Sequence, residues 1–274
     1  MPSTAHTAGR ACALIEVFVS LAIVAVLLAI FTLSAADSRR NASLGESLNN
    51  LKQFAWAGSA YTADNSERFW TFSWQAGSTS PSEFPDLEFA STDLEAAANQ
   101  AVDIIRRRAN PTMPRVTNWV PQILYNQLVL ADHMNIPLPT PWVASPADAT
   151  RLAWQRWPAN PIPLPDGGGL QLRWVYSSSY EVGAAFWQRD QKVGADSVIE
   201  QSSSHNTYFI PQPLLPMGDR LITQVVHPSR KAMVWDSHKR HFGSRVAFFG
   251  YAESRVPVLT VDGSATVRAT SEAN

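Results

Sequence analysis

Titratable side chains lie closest together near the end of the sequence, where Asp236, His238 and His241 fall within one short segment. Two histidines three residues apart beside a carboxylate can bind a metal ion when they face the same way. The neighbouring residues favour a polar, solvated turn instead, so we expect no metal ion there. The sequence contains no glycine-rich phosphate loop, nucleophile elbow or His-Glu-x-x-His helix. It therefore predicts a protein that is not an enzyme and has no cofactor.

A further ionisable residue, Glu16, lies at the start of an apolar run, residues 17–36, that contains no charged side chain. As a helix, this run of about 20 residues spans roughly 30 Å, the thickness of the hydrocarbon core of a bilayer. A carboxylate inside such a segment is energetically unfavourable and usually has a partner. The segment is therefore a membrane helix or a targeting segment.

Two kinds of targeting segment fit the sequence poorly. A cleaved secretory signal would have a shorter apolar region, followed by a small-residue cleavage site. A lipoprotein signal would place a cysteine after the apolar region, whereas Cys12, the one cysteine of the sequence, comes before it. The position of Glu16 favours a third kind of segment, in which the carboxylate has a specific partner in the membrane.

The residues around Glu16 resemble the class III signal of type IV prepilins and pseudopilins. Ala11 and Cys12 hold the positions where that family usually has Gly and Phe, and Leu14, Ile15 and Glu16 match its pattern as they stand. The resemblance implies that a prepilin peptidase cuts between Ala11 and Cys12 and methylates the new amine. It also implies that Glu16 is an assembly group, which pairs with the cationic N-terminus of a neighbouring subunit.

Helical spacing continues beyond the apolar run, in an apolar stripe formed by Leu44, Leu48, Leu51, Ala55, Gly58 and Tyr61. The same part of the chain resembles the L-N-N-L-K-Q…Y…D-N pattern of pseudopilin-like proteins. The matching residues are Leu48, Asn49, Asn50, Leu51, Lys52 and Gln53, followed by Tyr61, Asp64 and Asn65. The plainer alternative is a polar helix face followed by an Asp-Asn turn.

The sequence predicts an α+β, pilin-like fold in which a long N-terminal helix packs on a mostly antiparallel sheet with extra helices. We expect a leader at residues 1–11, a transmembrane helix at 12–36, its amphipathic continuation at 37–65, and an extracytoplasmic domain at 66–274 with a helical insertion at about 92–157. The insertion should contain helices at 92–108, 121–133 and 145–157. Short β-rich runs at 170–176, 207–210, 221–226, 231–235, 246–251 and 256–261 should be strands. A tight primed turn at Asp262 and Gly263 should join the last two strands of a hairpin.

The net charge of −1 lacks the basic footprint of a nucleic-acid-binding protein. The family resemblance implies a structural subunit of a type II secretion pseudopilus or a related type IV filament. Its partners would be the prepilin peptidase, other pilin or pseudopilin subunits and the inner-membrane platform of the secretion system. The N-terminus would be cytoplasmic, the helix in the inner membrane, and the C-terminal domain periplasmic or extracellular. The alternative is a membrane-anchored extracytoplasmic binding domain, for a glycan or an envelope protein, that uses the prepilin-like leader only for delivery.

Overall fold

The structure is a computed structural model that describes residues 5–159, 172–187, 200–201, 208–209, 217–218, 220–243 and 245–272. The chain divides into two compact units, Met1–Ser43 and Leu44–Asn274. The predicted turn at residues 166–169 and the polar loop around His205 lie outside the described residues. The fold is α+β, with a long N-terminal helix and an antiparallel sheet.

Helix α1 spans Ala5–Asp64, as the unbroken apolar run and the stripe that follows it predict. In the first unit, the large apolar side chains of α1 are exposed, from 50% for Val24 to 69% for Phe31. Among the described residues, α1 is the one helix that is long and apolar enough to cross a membrane. The predicted transmembrane segment therefore corresponds to a helix of suitable length and composition.

In the second unit, residues 44–64 of α1 bury one face against the rest of that unit. Leu51, Ala55 and Gly58 of the predicted stripe are buried, whereas its other members are half-buried. The buried face also includes residues outside the stripe, namely Ser47, Asn50, Phe54 and Ala57. The stripe was therefore predicted correctly in part, and the face that the helix buries is broader and partly polar.

Three further helices follow; the first begins where the sequence predicts, and the last begins at Ala149 rather than at residue 145. Helix α2, Asp93–Arg108, has Thr92 as its N-cap, whose hydroxyl accepts a hydrogen bond from the amide of Glu95 at 3.2 Å. Helix α4, Ala149–Arg156, has Asp148 as its N-cap, and the carboxylate accepts from the amide of Arg151 at 3.1 Å. Both helices satisfy exposed N-terminal amides through these side chains.

Helix α3, Gln127–His133, begins later than Pro121, so the predicted start is wrong. The carbonyl groups of Ile123 and Leu124 accept hydrogen bonds from the amides of Val182 (3.0 Å) and Ser178 (2.8 Å). Because these two carbonyls pair with a distant segment, they do not act as acceptors within a helix. One helical turn does form at Pro121, whose carbonyl accepts from the amide of Tyr125 at 2.9 Å, but long-range pairing prevents the helix from continuing directly from it.

The main sheet has four antiparallel strands in the order β1-β4-β7-β8. Its strands are β1 (Tyr180–Val182), β4 (Ala232–Asp236), β7 (Arg255–Thr260) and β8 (Ala265–Ala269). Two small antiparallel pairs are formed by β2 (Glu200–Gln201) with β3 (Tyr208–Phe209), and by β5 (His238–Lys239) with β6 (Ala247–Phe248). The predicted strands at 231–235 and 256–261 are confirmed, and that at 246–251 is shorter than expected. Of the predicted strand at 207–210, the described residues are Tyr208 and Phe209, and both lie in β3.

Two predicted strands are 3₁₀ helices instead, at Leu172–Tyr176 and Ile222–Gln224. In the first, the hydroxyl of Ser177 donates to the carbonyl of Trp174 at 2.7 Å. In the second, the side chain of Gln224 accepts from the amide of Leu221 at 3.3 Å. These local side-chain bonds satisfy backbone groups that a strand would have to pair with a neighbour.

The β7–β8 hairpin is confirmed, but its turn differs from the prediction. The amide of Thr260 donates to the carbonyl of Ser264 at 2.9 Å, which leaves three residues in the loop. Gly263 has φ of +84°, whereas Asp262 does not have positive φ, so the turn is not a two-residue primed turn. The carboxylate of Asp262 accepts from the hydroxyl of Thr260 at 2.6 Å and from the amide of Ser264 at 3.0 Å, which stabilises the longer loop.

Candidate functional site

The predicted processing and assembly residues all lie within α1 in the first unit. Ala11, Cys12, Leu14 and Ile15 have helical backbone, and their side chains lie outside the described residues. The side chain of Glu16 is exposed, and the large apolar side chains that follow it are exposed as well. Glu16 therefore begins a helical segment that offers apolar surface, with a carboxylate at its edge.

The L-N-N-L-K-Q motif lies in the second unit, where its members have different environments. Asn50 and Leu51 are buried, Gln53 is half-buried, and Asn49 and Lys52 are exposed. The side-chain amide of Asn50 donates to the carbonyl of Ala144 at 3.1 Å and to the hydroxyl of Tyr180 at 3.3 Å. Within this motif, Asn50 is thus the polar residue that ties α1 to the domain, while Leu51 packs in the core.

Tyr61, Asp64 and Asn65 form the C-terminal end of α1. The carbonyl of Tyr61 accepts from the backbone amide of Asn65 at 2.9 Å and from the side-chain amide of the same residue at 2.8 Å. The ring of Tyr61 lies 5.2 Å from the ring of His133, and the carboxylate of Asp64 lies 3.2 Å from Nε2 of the same histidine. These residues attach the end of α1 to the end of α3.

A second site, which the sequence did not predict, lies inside the second unit. We call it the buried polar cluster, and it consists of Ser145, Asp148, Arg151, Ser179, Asp236, Arg240 and His241. The guanidinium of Arg240 lies between two carboxylates: its Nη2 is 2.8 Å from Oδ2 of Asp148, and its Nη1 donates to Oδ1 of Asp236. Arg151 binds the same oxygen of Asp148 at 2.6 Å. The cluster is an ionic network with both signs of charge.

Secondary structure positions each member of the cluster. Asp148 is the N-cap of α4, and Asp236 is the last residue of β4. Ser179 directly precedes β1; its hydroxyl donates to Asp148 at 2.8 Å and accepts from the amide of Ser145 at 2.9 Å. The cluster therefore joins one helix start to the ends of two neighbouring strands.

The cluster also touches the part of α1 that lies in the second unit. Ser47 of α1 shares a hydrogen bond of 2.9 Å with the hydroxyl of Tyr180, which Asn50 also binds. Burial raises the pKa of Tyr180, and the nearby negative charge of Asp236 raises that pKa further. Tyr180 is thus the link between the polar residues of α1 and the charged residues of the cluster.

Burial and charge act in opposite directions on the two carboxylates. Burial would raise the pKa of Asp148, but the nearby cations Arg151 and Arg240 hold that pKa well below its usual range. Burial raises the pKa of Asp236 to about 6, although Arg240 lowers it, and the charge of Asp148 adds to the rise. Burial also lowers the pKa of the His241 imidazole to about 4, and Arg240 contributes in the same direction.

The segment from Asp236 to His241 is not the solvated turn that we expected. Asp236 is 0% exposed and His241 is 2% exposed. The carboxylate of Asp236 can be buried because Arg240 and the amide of His238 bind it. The polarity of Asp236 alone does not indicate that it has these partners. Among the described residues, no group of three or more His, Cys, Asp or Glu side chains lies together as a metal site would require.

Ser145, His241 and Asp236 contain the residue types of a catalytic triad, but their geometry differs. The hydroxyl of Ser145 lies 3.3 Å from Nε2 of His241, and the nearest carboxylate oxygen of Asp236 lies 3.8 Å from the same nitrogen. In a triad, the carboxylate binds the opposite ring nitrogen and so orients the base. This cluster therefore serves best as a structural network.

The sequence held partial signals for the cluster. Residues 145–148 predict the start of α4, and residues 177–180 resemble a junction between a loop and a strand. Neither pattern indicates that Ser145 meets His241, which lies 96 residues later in the chain. Comparison with family models, curated proteins and solved structures finds no match to this chain.

Proposed function

We propose that this chain is a pilin-like structural subunit of a type II secretion pseudopilus or a related type IV filament. In this proposal, a prepilin peptidase cuts between Ala11 and Cys12, and the apolar part of α1 anchors the mature chain in the inner membrane. The second unit is then periplasmic or extracellular. The subunit packs beside others through its N-terminal helix.

The exposure of Glu16 at the edge of an apolar helical surface carries the proposal. In lipid, a carboxylate with no compensating partner is unfavourable by several kcal/mol. Within the described part of the first unit, the side chains after Glu16 as far as Phe31 are apolar or hydroxyl-bearing and offer no cation. The methylated N-terminal amine of a neighbouring subunit would supply the missing positive charge.

The second unit is consistent with this role. Residues 44–64 of α1 bury one face in a unit that contains an antiparallel sheet, and that face includes both apolar and polar contacts. A helix held in this way can carry a folded domain into an assembly. The resemblance of residues 48–65 to pseudopilin-like proteins supports the same proposal.

The experiment compares wild-type protein with Glu16→Leu, using a photo-crosslinking amino acid at Val19, one turn beyond Glu16. Glu16→Leu removes a charge from lipid, so membrane insertion should be unchanged or better. Loss of the charge pair should reduce crosslinked dimers by about tenfold or more, since 1.4 kcal/mol already corresponds to a factor of ten. Crosslinked species are measured by mass spectrometry of the membrane fraction.

A matched control is Glu46→Leu, which removes an exposed carboxylate in the second unit. It should leave crosslinking at Val19 unchanged. Equal crosslinking in wild-type and Glu16→Leu protein would contradict the filament proposal and would favour an anchored binding domain instead.

A further inference from the structure

Two adjoining cavities lie in the second unit. One, of about 340 Å³, lies on the four-stranded sheet and is lined by Trp235 and Phe249, and the other is an open cleft of about 790 Å³ beside it. The two share Arg230 and Glu272 in their walls, so we treat them as one site and call it the sheet groove. Neither the buried polar cluster nor the N-terminal assembly residues line this groove.

The floor of the smaller cavity is apolar, and strand pairing and side-chain contacts hold Trp235 in place. Trp235 and Val258 are paired across β4 and β7, which are the two internal strands of the sheet. The indole N–H of Trp235 donates to the buried carboxylate of Glu181 at 3.3 Å, and its ring lies 5.3 Å from that of Phe249. Because internal strands already pair their backbone groups, a ligand here meets side chains and ring faces rather than free amides.

The rim of the groove is cationic. Its cations are Arg230 and Arg268 beside the aromatic cavity, and Arg220 and Lys231 along the open cleft. Among the residues that the structure describes, Glu272 is the one acidic residue that lines the groove. Within the same described part of the chain, Arg230, Lys231 and Arg268 form no ion pair, so their charges are available to a ligand.

We propose that the sheet groove binds an acidic polysaccharide built from uronic acid units. The apolar face of a pyranose ring fits a floor made of Trp235 and Phe249, and guanidinium groups recognise carboxylates through paired N–H donors. The hydroxyl of Ser229 in the same cavity can bind a sugar hydroxyl, and that of Thr270, which donates to the carbonyl of Phe249, can accept from one. The cleft continues beyond Arg230, so successive acidic sugars can follow the row of cations.

An acidic peptide fits the groove less well. Extended peptides commonly bind by adding a strand to a sheet edge, whereas this floor is made by internal strands. This inference goes beyond the filament proposal, since it assigns a ligand to a surface that neither processing nor helix packing uses. It holds for a filament subunit and for an anchored domain alike.

The test is calorimetric titration of the full chain, in micelles of a neutral detergent, with short oligogalacturonates. We expect saturable binding that weakens as salt is raised, because exposed charges are screened. Methyl-esterified oligogalacturonates lack the carboxylates and should bind at least about tenfold more weakly. Oligoglutamate of equal charge should also bind at least about tenfold more weakly, because it lacks the pyranose face.

Arginine variants locate the binding site. The double variant Arg230→Ala with Arg268→Ala should weaken oligogalacturonate binding by about tenfold or more. Arg156→Ala, which removes an exposed arginine at the end of α4, should leave it unchanged. Trp235→Phe should retain part of the affinity, and the circular dichroism of each variant checks its fold. The proposal is overturned by absence of saturable binding, by equal affinity for oligoglutamate, or by an unchanged affinity in the double arginine variant.

Discussion

Helix α1 contains two apolar regions whose surroundings differ. Between Val17 and Phe31, the large apolar side chains are exposed on all sides of the helix, at 50% or more of their surface. Further along the same helix, Leu51 and Phe54 are 0% exposed. The first region has apolar surface that the described part of its own unit does not cover, and the second uses its apolar surface to build a core.

The buried part of α1 also differs in chemistry, because it includes polar side chains. Ser47 and Asn50 are buried beside Leu51 and Phe54, and both bind the hydroxyl of Tyr180. A helix in lipid would gain nothing from these groups, whereas a helix in a protein core can satisfy them with specific partners. Residues 17–36 therefore suit an apolar environment with no specific partner, whereas residues 44–64 require the specific contacts that the second unit supplies.

The strongest test of this comparison replaces one phenylalanine in each region of α1. Phe54 is fully buried, with its ring 4.6 Å from that of Trp142 and 5.7 Å from that of Trp70. Phe54→Ala should lower the free energy of unfolding of the second unit by about 3–5 kcal/mol, through lost burial and the cavity left behind. Thermal unfolding of the full chain in neutral detergent micelles measures the effect.

Phe31→Ala is the matched control, since the side chain of Phe31 is 69% exposed. It should change the same unfolding transition by no more than about 0.5 kcal/mol. Equal destabilisation by the two substitutions would contradict the division of α1 into an exposed and a buried region.

The sequence predicted those elements whose signals are local. The continuity of α1, the N-cap Thr92 and the β7–β8 hairpin all follow from neighbouring residues. Strand β1 and the late start of α3 were not predicted, because the amides of Ser178 and Val182 bind carbonyls more than 50 residues earlier in the chain. The periodicity of nearby residues in the sequence does not indicate such a long-range hydrogen bond.

The sites divide in the same way. Glu16 is conspicuous in the sequence because a single charge interrupts an apolar pattern. The buried polar cluster is not, because Asp148, Asp236 and Arg240 look like ordinary surface residues until the fold brings them together. The prediction that residues 236–241 form a solvated turn is wrong for this reason. A charged side chain can be buried when it has a partner, and Asp148 and its partner Arg240 are remote in sequence.

The second test uses pH, because the buried region of α1 contacts a titratable cluster through Tyr180. The pKa of Asp236 is raised from 3.8 to about 6, so the folded state binds more protons than the unfolded state between these values, and stability falls as pH rises through them. The pKa of His241 is lowered from 6.5 to about 4, so stability falls as pH drops from 6.5 to 4. The two effects oppose each other between about pH 4 and 6.

Single substitutions should separate these opposing effects. Asp236→Asn removes the carboxylate effect, which stabilises the wild type as pH drops, so the stability of the variant relative to wild type should fall by about 2–3 kcal/mol as pH drops from 7 to 4. His241→Asn removes the histidine effect, which destabilises the wild type as pH drops, so its relative stability should rise by a similar amount over the same range. His227→Asn, at an exposed position, is the control and should follow the wild-type profile. Urea unfolding at several pH values measures the profiles, and parallel profiles for the first two variants would refute this assignment.

The smallest expected effects come from two glycines of α1, and these should differ in sign. A Cβ at Gly58 would lie 2.6 Å from Nε1 and 3.0 Å from Cδ1 of Trp70, which is 1% exposed and stacked on Phe69 with ring centres 4.7 Å apart. Because Trp70 is buried and its ring stacks on that of Phe69, shifting it to make room for the methyl group of Gly58→Ala should destabilise the second unit by about 1–3 kcal/mol. A Cβ at Gly45 would meet nothing within 4 Å, so Gly45→Ala should stabilise it by up to about 1 kcal/mol through helix propensity. Urea unfolding at pH 7 gives both values, and a stabilising Gly58→Ala would show that α1 does not pack against Trp70 as closely as the buried face requires.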